Sequence, residues 1–195
     1  MMKKIVFLFA FVVASYCCLA SNEGYLNGHE YVDLGLPSGT KWATCNVGSS
    51  SSEGYGNYYA WGETRAKSSY TEANYTYSGS KSALPSSADA ASVNWGSGWR
   101  IPSDADWLEL MSKCKWTWTS RNGIEGYRIT GPNGRSIFLP AAGSRCGSDL
   151  EYNGSFCHYW TRNNEKRLNY SSDGYYCYIE GGFPECGLPI RAVCK

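Results

Sequence analysis

Short runs of apolar residues, broken by turn residues, follow one another along most of the chain and predict β-strands rather than long helices. From residue 30 the chain reads EYVDLGLPSGTKWATCNVG, in which Tyr31, Val32, Leu34 and Leu36 precede a Pro37-Ser38-Gly39 turn. Apolar residues resume after that turn, so the segment predicts a β-hairpin.

Two later turns carry the same signal. Pro132-Asn133-Gly134 separates two apolar runs in GYRITGPNGRSIFLP, and Asp173-Gly174 separates two more in LNYSSDGYYCYI. Asn-Gly and Asp-Gly are strong hairpin signals. YGNYYAWGE (55–63) predicts a further strand or extended segment, and LPIRAVCK (188–195) predicts a closing strand. Residues 64–91 have no clear period and predict a long surface excursion.

One segment has helical periodicity. In RIPSDADWLELMSKC, Trp107, Leu110, Met111 and Cys114 recur at the spacing of one helix face, and Ser103 with an acidic residue three positions later resembles a capping box. We therefore expect a helix at about 103–114. With many short strands around one helix, the predicted fold class is α+β.

The first twenty residues, MMKKIVFLFAFVVASYCCLA, predict a secretory signal peptide. The uncharged stretch from Ile5 to Ala20 has 16 residues, which is short for a membrane span, and no stop-transfer pattern follows. The alternative is lipid attachment at Cys17 or Cys18. We expect 21–28 to be a short linker and 29–195 a single domain, exported to the cell surface, the periplasm or the medium.

Charge and cysteine content narrow the classes of partner and site. The chain has 18 basic and 17 acidic residues. Removal of the predicted signal peptide, which contains Lys3 and Lys4, would leave 16 basic and 17 acidic residues. Such a balance disfavours a nucleic-acid partner, which needs clustered basic residues. Seven cysteines follow residue 20, and the odd number leaves at least one thiol unpaired. They form no Cys-x-x-Cys pair, so a zinc site is not expected.

The segment 146–186 is rich in the residues of binding loops. Tyr, Asn, Ser and Gly make up 19 of its 41 positions. Antibody loops favour the same types because Tyr supplies contact area and the others supply adaptable hydrogen bonds. Solvated turns can have this composition too, but exposed aromatics favour recognition. The candidate ligand-binding residues are Tyr152, Phe156, His158, Arg162, Asn163, Asn164, Arg167, Tyr175 and Tyr176.

Several motifs occur together in a recognisable order. They are VDLGLPSGTKWATCNVG, YGNYYAWGET, GWRIPSDADWLEL, CKWTWT, GYRITGPNGRSIFLPAAGSR, YW and the terminal RAVC. In this order they resemble the Fibrobacter succinogenes major paralogous domain family over roughly residues 29–195. The resemblance implies a C-type-lectin-like fold, in which the N- and C-terminal strands lie together and the later loops form a binding face.

The resemblance has further implications. Such folds include variable proteins diversified by retroelements, which rewrite a C-terminal segment at adenines, and 146–186 is dense in the resulting residue types. Cys45 and Cys114 lie in family-like motifs and are the first candidates for a disulfide. Trp42, Trp61, Trp99, Trp107, Tyr159 and Trp160 belong to the scaffold motifs and are expected in the core, whereas Trp116 and Trp118 are alternative surface platforms for a sugar.

Enzymatic chemistry is not expected. His29 and His158 are the two histidines, and neither has a local nucleophile signature. The loops FPE (183–185) and YWTRN (159–163) depart from the calcium motifs of sugar-binding C-type lectins, so we expect no metal or cofactor. The leading interpretation is an exported, adhesin-like module that binds a glycan or a protein on another surface. The alternatives are an enzyme related to formylglycine-generating enzymes, or a structural subunit of a surface assembly.

Overall fold

The computed structural model describes residues 23–195. The predicted signal peptide (1–20), with its alternative lipidation site, lies outside the described residues. None of the helices in residues 23–195 combines the length and the apolarity needed to cross a bilayer.

The two ends of the described chain meet in one antiparallel sheet. Its order is β1-β2-β3-β12, and its strands are β1 Glu23–Leu26, β2 His29–Asp33, β3 Lys41–Ala43 and β12 Val193–Cys194. Trp42 on β3 pairs with Val32 on one side and with Val193 on the other. The predicted first hairpin and the predicted closing strand are therefore confirmed.

Strand β1 differs from the expectation that 21–28 is a linker. Asn27 and Gly28 both have positive φ, 50° and 80°, and form a two-residue turn that returns β1 onto β2. Asn-Gly favours this turn because both residues tolerate the left-handed conformation. The Asn27 side chain also donates hydrogen bonds to the carbonyls of Trp95 and Ser97, which ties the hairpin to the fold.

The stretch between β3 and the long helix consists mostly of turns and irregular backbone. The segment 55–63 contributes one bridge, between Tyr59 and Leu188, so the extended-segment reading is confirmed. Residues 64–91 form a long excursion, as predicted, but it is not confined to the surface, because Tyr70 and Leu84 are buried. The short helix α1, Ala90–Trp95, follows this excursion and was not predicted.

The predicted helix is present as α2, Asp104–Lys113. Ser103 and Asp106 form the expected capping box, and the Asp106 carboxylate also accepts hydrogen bonds from the Arg100 guanidinium at 2.6 and 3.0 Å. Trp107 and Leu110 are fully buried on the inner face of the helix.

A three-stranded antiparallel meander follows α2. Its strands are β4 Lys115–Arg121, β5 Ile124–Thr130 and β6 Ser136–Pro140. The predicted hairpin at Asn133-Gly134 joins β5 to β6, and an unpredicted one at Asn122-Gly123 joins β4 to β5. Trp116 on β4 stacks flat on Tyr170, with centroids 4.4 Å apart, so this indole packs against the fold instead of standing free as a sugar platform.

The segment 146–186 forms most of the last two sheets. One is the hairpin of β7 Ser144–Cys146 and β8 Asp149–Glu151, and the other has the order β11-β10-β9, with β9 Phe156–Trp160, β10 Lys166–Ser171 and β11 Cys177–Gly181. The predicted hairpin at Asp173-Gly174 joins β10 to β11.

The apolar core has two main clusters. Trp42 and Ala43, neighbours on β3, belong to different clusters, since adjacent residues of a strand face opposite sides. The residues predicted to be core from the scaffold motifs, Trp42, Trp61, Trp99, Trp107, Tyr159 and Trp160, are all at most 1% exposed. The fold is mixed but dominated by antiparallel sheets, with α2 as the one helix of seven or more residues in the described part of the chain.

The cysteine pairing differs from the expectation. Cys45 and Cys114 are free thiols, and Cys45 packs against one core cluster whereas Cys114 packs against the other. The disulfide instead joins Cys146 to Cys186, whose Cα atoms lie 4.9 Å apart.

Candidate functional site

The sheet β9-β10-β11 has one buried face and one polar, aromatic face. Register pairs His158 with Asn169, and Tyr159 with Leu168. Tyr159, Leu168 and Cys157 are fully buried in a core cluster. The alternate positions, including His158 and Asn169, face the other way because side chains alternate along a strand.

That outer face holds a cleft of about 260 Å³. It brings together five of the nine predicted contact residues and adds Asn169. The lining residues are Tyr152, Phe156, His158, Arg167, Asn169 and Tyr176.

The aromatic rings of the cleft contact one another. The Phe156 ring lies 5.2 Å from the His158 ring and 6.1 Å from the Tyr176 ring, measured between centroids. Tyr152 lies 5.6 Å from His158 and stands edge to face with it. Because edge-to-face pairs are favourable, these contacts hold the exposed rings in a defined arrangement.

Tyr152 is held by an unusual backbone conformation. Its φ is +60°, in the left-handed region that non-glycine residues seldom occupy. The turn after it is anchored on both sides, because Gly143 N–H donates to the Phe156 carbonyl at 3.0 Å and Gly154 N–H donates to the Ala141 carbonyl at 2.8 Å. This anchoring compensates for the conformational cost and places the Tyr152 side chain beside β9.

The floor of the cleft, formed by His158, Arg167 and Asn169, includes an ion pair whose opposite charges cancel. Arg167 Nη2 lies 2.9 Å from Glu180 Oε1, and the Asn169 amide donates to the same oxygen at 2.8 Å. Asn169 also faces His158 on the paired strand, and a hydrogen bond between their side chains partly opposes the lowering of the pKa of His158. Burial, reinforced by the positive charge of Arg167, lowers the pKa of His158 to about 3, so its imidazole is neutral near pH 7.

Four predicted residues lie outside the cleft. Arg162, Asn163 and Asn164 lie beyond the other end of β9, where they hydrogen-bond the carbonyls of Leu84, Ser82 and Lys81 at 2.7, 3.1 and 2.7 Å. These contacts fasten the 81–84 segment, so the three residues hold the fold together at that end. Tyr175 stands next to Tyr176, 77% exposed, at the tip of the β10–β11 turn.

Asn169 and Glu180 were not among the predicted contact residues. Asn169 would have followed from an interpretation of FCHYW and KRLNYS as paired strands, because alternation then puts Arg167 and Asn169 on the face opposite to Leu168. The register was the missing information, since it places Glu180 opposite Arg167.

A larger groove, of about 580 Å³, lies between the terminal sheet and the β4-β5-β6 meander. Its lining is mainly hydroxyl-bearing and charged, including Glu30, Ser120 and Arg128. None of the buried unpaired polar atoms of the described chain belongs to its lining residues. The smaller cleft differs from this groove because it combines aromatic walls with buried polar side chains, which is the usual character of a specific ligand site.

The cleft offers no assembled catalytic pair. Cys157 is next to His158 in sequence, but its thiol points into the core toward the Leu139 and Pro140 carbonyls, and burial raises the pKa of that thiol. In residues 23–195 no three His, Cys, Asp or Glu side chains are grouped closely enough to hold a metal ion. The arrangement can therefore bind and orient a ligand, but it shows no nucleophile and base in contact.

No family model, curated protein or solved structure matches this chain.

Proposed function

We propose that this protein is an exported, adhesin-like module that binds a glycan or a protein of another surface in the cleft on the outer face of β9-β10-β11. The observation that carries the proposal is the convergence of Tyr152, Phe156 and Tyr176 around the polar side chains of His158, Arg167 and Asn169. Exposed aromatic clusters are costly to solubility and are characteristic of recognition surfaces.

The proposal extends to the fold family and the compartment. Pairing of β12 with β3, which unites the terminal strands, supports the C-type-lectin-like fold that the motif order implies. The Cys146–Cys186 disulfide supports an oxidising compartment, because disulfides persist outside the reducing cytosol. The first twenty residues have the pattern of a secretory signal peptide, which supports export.

The test compares two triple variants of the full chain. One replaces Tyr152, Phe156 and Tyr176 with Ala. The matched control replaces Tyr25, Leu108 and Phe183, which are 71%, 53% and 67% exposed and lie outside the cleft. Amine-labelled proteins are applied to an array of immobilised glycans and peptides, and circular dichroism monitors folding.

The wild-type chain and the control are expected to label the same array positions, and the cleft variant is expected to lose them. Should the cleft triple variant fail to fold, the single variant Tyr176→Ala takes its place, because Tyr176 is 41% exposed and contributes little to the core. An identical pattern for wild type and cleft variant, whether strong or blank, contradicts the proposal.

A further inference from the structure

The outer face of the β4-β5-β6 meander forms one wall of the larger groove. Tyr127 and Ile129 on β5 are buried in the core, so Arg128 between them points to the opposite side. Register pairs Arg128 with Thr117 on β4 and with Phe138 on β6. The hydroxyl-bearing residues of the meander that line the groove are Thr119, Ser120 and Ser136.

The other wall comes from β2 and from the chain that follows β3. Glu30 on β2 is half-buried and contributes a carboxylate. The chain after β3 is fastened to the meander, because the Asn122 amide donates to the Glu53 carboxylate at 2.6 Å. The residues of this chain that line the groove are Thr44, Cys45, Ser50 and Ser52.

Each wall carries a charged side chain that the fold leaves unpaired. Arg128 is exposed, and its guanidinium makes no hydrogen bond or ion pair within residues 23–195. The Glu30 carboxylate likewise has no such partner in that part of the chain. Arg121 differs from them, because its Nε lies 3.9 Å from Glu53 Oε2.

A buried cation lies behind the floor of the groove. Arg191 is 0% exposed, and its guanidinium donates to Asn46 Oδ1 and to the Thr44 carbonyl, both at 2.8 Å, and to the carbonyl of Ala43. These partners are all neutral. Burial raises the pKa of the Cys45 thiol, the charge of Arg191 lowers that pKa, and the charge of Glu30 raises it. Glu30 and Arg191 therefore act on the same part of the floor with opposite sign.

The charges in and around the groove do not cancel. Arg121, Arg128 and Arg191 supply three positive charges, and Glu30 and Glu53 supply two negative ones. One positive charge is in excess, and Arg128 is the exposed cation without a partner. A monoanion would balance it, whereas a phosphate dianion would exceed it and be repelled by Glu30. A carboxylate is the best match, because its two oxygens fit the fork of a guanidinium.

The size of the groove calls for more than a simple carboxylate. Its volume of about 580 Å³ lies in the range of sites that enclose a drug-sized ligand. Its hydroxyl groups both donate and accept hydrogen bonds, whereas Glu30 only accepts them. Peptide groups meet both needs, since each N–H can donate to Glu30 and each carbonyl can accept from a hydroxyl.

The groove offers little apolar surface to a ligand. Its apolar lining residues, Val32, Ile137 and Phe138, are each 4% exposed. A large apolar side chain would therefore gain little by entering, and small or polar side chains suit the remaining, hydroxyl-bearing walls.

We propose that this groove is a second binding site, which takes the C terminus of a short peptide with small or polar side chains. The terminal carboxylate lies on Arg128, and the peptide groups next to it lie between Glu30 and the hydroxyls of the meander. The groove and the cleft on β9-β10-β11 share no lining residue. The inference therefore goes beyond the proposed function and does not depend on it.

The experiment is a titration of the ¹⁵N-labelled full chain, followed by amide chemical shifts. The probes are the N-acetylated tripeptides Ala-Ala-Ala, Gly-Ser-Ala and Ser-Gly-Ser, each as the free acid and as the C-terminal amide. We expect at least one free acid to shift the amides of Thr119, Arg128 and Ser136. Its amide counterpart is expected to bind about tenfold more weakly, because the charge-assisted contact is lost.

The matched variants change one exposed cation each. Arg128→Gln is expected to weaken binding of the free acid about tenfold, and Arg128→Lys to weaken it less, because the charge remains but the fork is lost. Lys115→Gln alters an exposed cation of the same meander outside the groove and is expected to bind as wild type does. Both Arg128 variants change an exposed side chain, so they are expected to fold.

Four results would overturn the inference. They are no shift of the groove amides with any free acid, shifts at the cleft instead, equal binding of a free acid and its amide, and equal binding by wild type and Arg128→Gln.

The outcome is separable from that of the proposed function. The array peptides are attached through their C termini, so the groove cannot contribute to the array pattern. If the array distinguishes wild type from the cleft triple variant while no tripeptide shifts the groove, the groove is rejected and the cleft is retained. If a free acid shifts the groove while the array shows no difference, the reverse holds.

Discussion

The two faces of the sheet β9-β10-β11 come from one stretch of sequence but have opposite roles. Cys157, Tyr159 and Leu168 are 0% exposed, while Tyr178 on the same sheet is 40% exposed and Tyr176, just before β11, is 41% exposed. Both faces draw on the same aromatic-rich composition. Composition therefore identifies a segment suited to recognition, and strand alternation decides which of its side chains are exposed and can contact a ligand.

The largest expected difference between the faces is in stability. Tyr159→Ala is expected to lower the free energy of unfolding by about 3–5 kcal/mol, because it leaves a cavity in the core. It also removes the hydroxyl that donates to the Pro140 carbonyl at 2.8 Å and accepts from the Asn46 amide at 3.0 Å. The matched outer variant, Tyr176→Ala, is expected to cost under about 1 kcal/mol. Urea denaturation of both variants measures the difference, and similar losses would mean that the two faces are not distinct.

The next effect concerns the disulfide that closes the segment. Cys146 and Cys186 are separated by 40 residues, and closing a loop of that length stabilises a protein by about 4 kcal/mol in the chain-entropy account. Cys146→Ser with Cys186→Ser is expected to lose up to that amount.

The matched control for the disulfide is Cys177→Ser, which alters an exposed free thiol and is expected to change stability by less than about 0.5 kcal/mol. Urea midpoints of the two proteins provide the measurement. A large loss in the Cys177 variant would indicate that this thiol has a structural role that the structure does not assign to it.

A third prediction concerns the pH dependence of stability, which distinguishes the buried His158 from the exposed residues around it. The pKa of His158 is about 3 in the folded chain and about 6.5 when unfolded, so the unfolded chain takes up the proton first as pH falls. Its contribution to stability is complete above pH 6.5 and is lost progressively down to pH 3. Between pH 6.5 and 4 the loss is about 3 kcal/mol.

His158→Phe is expected to remove most of this pH dependence and to leave two smaller contributions: one of the same sign from His29, whose pKa burial lowers, and one of opposite sign from Asp89, whose pKa burial raises. Asp106 contributes little to the comparison. Its pKa is about 2 in the folded chain and 3.8 in the unfolded chain, so its contribution to stability is lost mainly below pH 4. Urea midpoints measured at pH 7, 5.5 and 4 test the prediction. If wild type and variant show the same dependence, His158 is more accessible than its burial indicates.

Features with a strong local signal were predictable from sequence. The capping box at Ser103 and Asp106, and the turns at Asn133-Gly134 and Asp173-Gly174, depend on residues that lie within a few positions of one another. The Asn-Gly pair at 27–28 carries an equally strong signal, and it forms a turn inside the segment that was expected to be a linker. Such features are local because their hydrogen bonds close within one turn of the chain.

Features that depend on distant partners were not predictable. The disulfide expectation was wrong: Cys45 and Cys114 are free, and Cys146 pairs with Cys186, a pairing that no spacing in the sequence reveals. Arg162, Asn163 and Asn164 have the residue types of a binding loop, yet they are used to fasten residues 81–84, roughly eighty positions earlier in the chain.

By itself, the sequence determined that 146–186 is rich in tyrosine and small polar residues, that α2 begins after Ser103, and that short hairpins dominate the fold. Only the tertiary structure decided that Tyr152, Phe156, His158 and Tyr176 share one cleft, that Asn169 completes its floor, and that Cys146 pairs with Cys186. The physical reason is register. Alternation assigns each strand residue to a face, but pairing between strands fixes which residues on that face become neighbours.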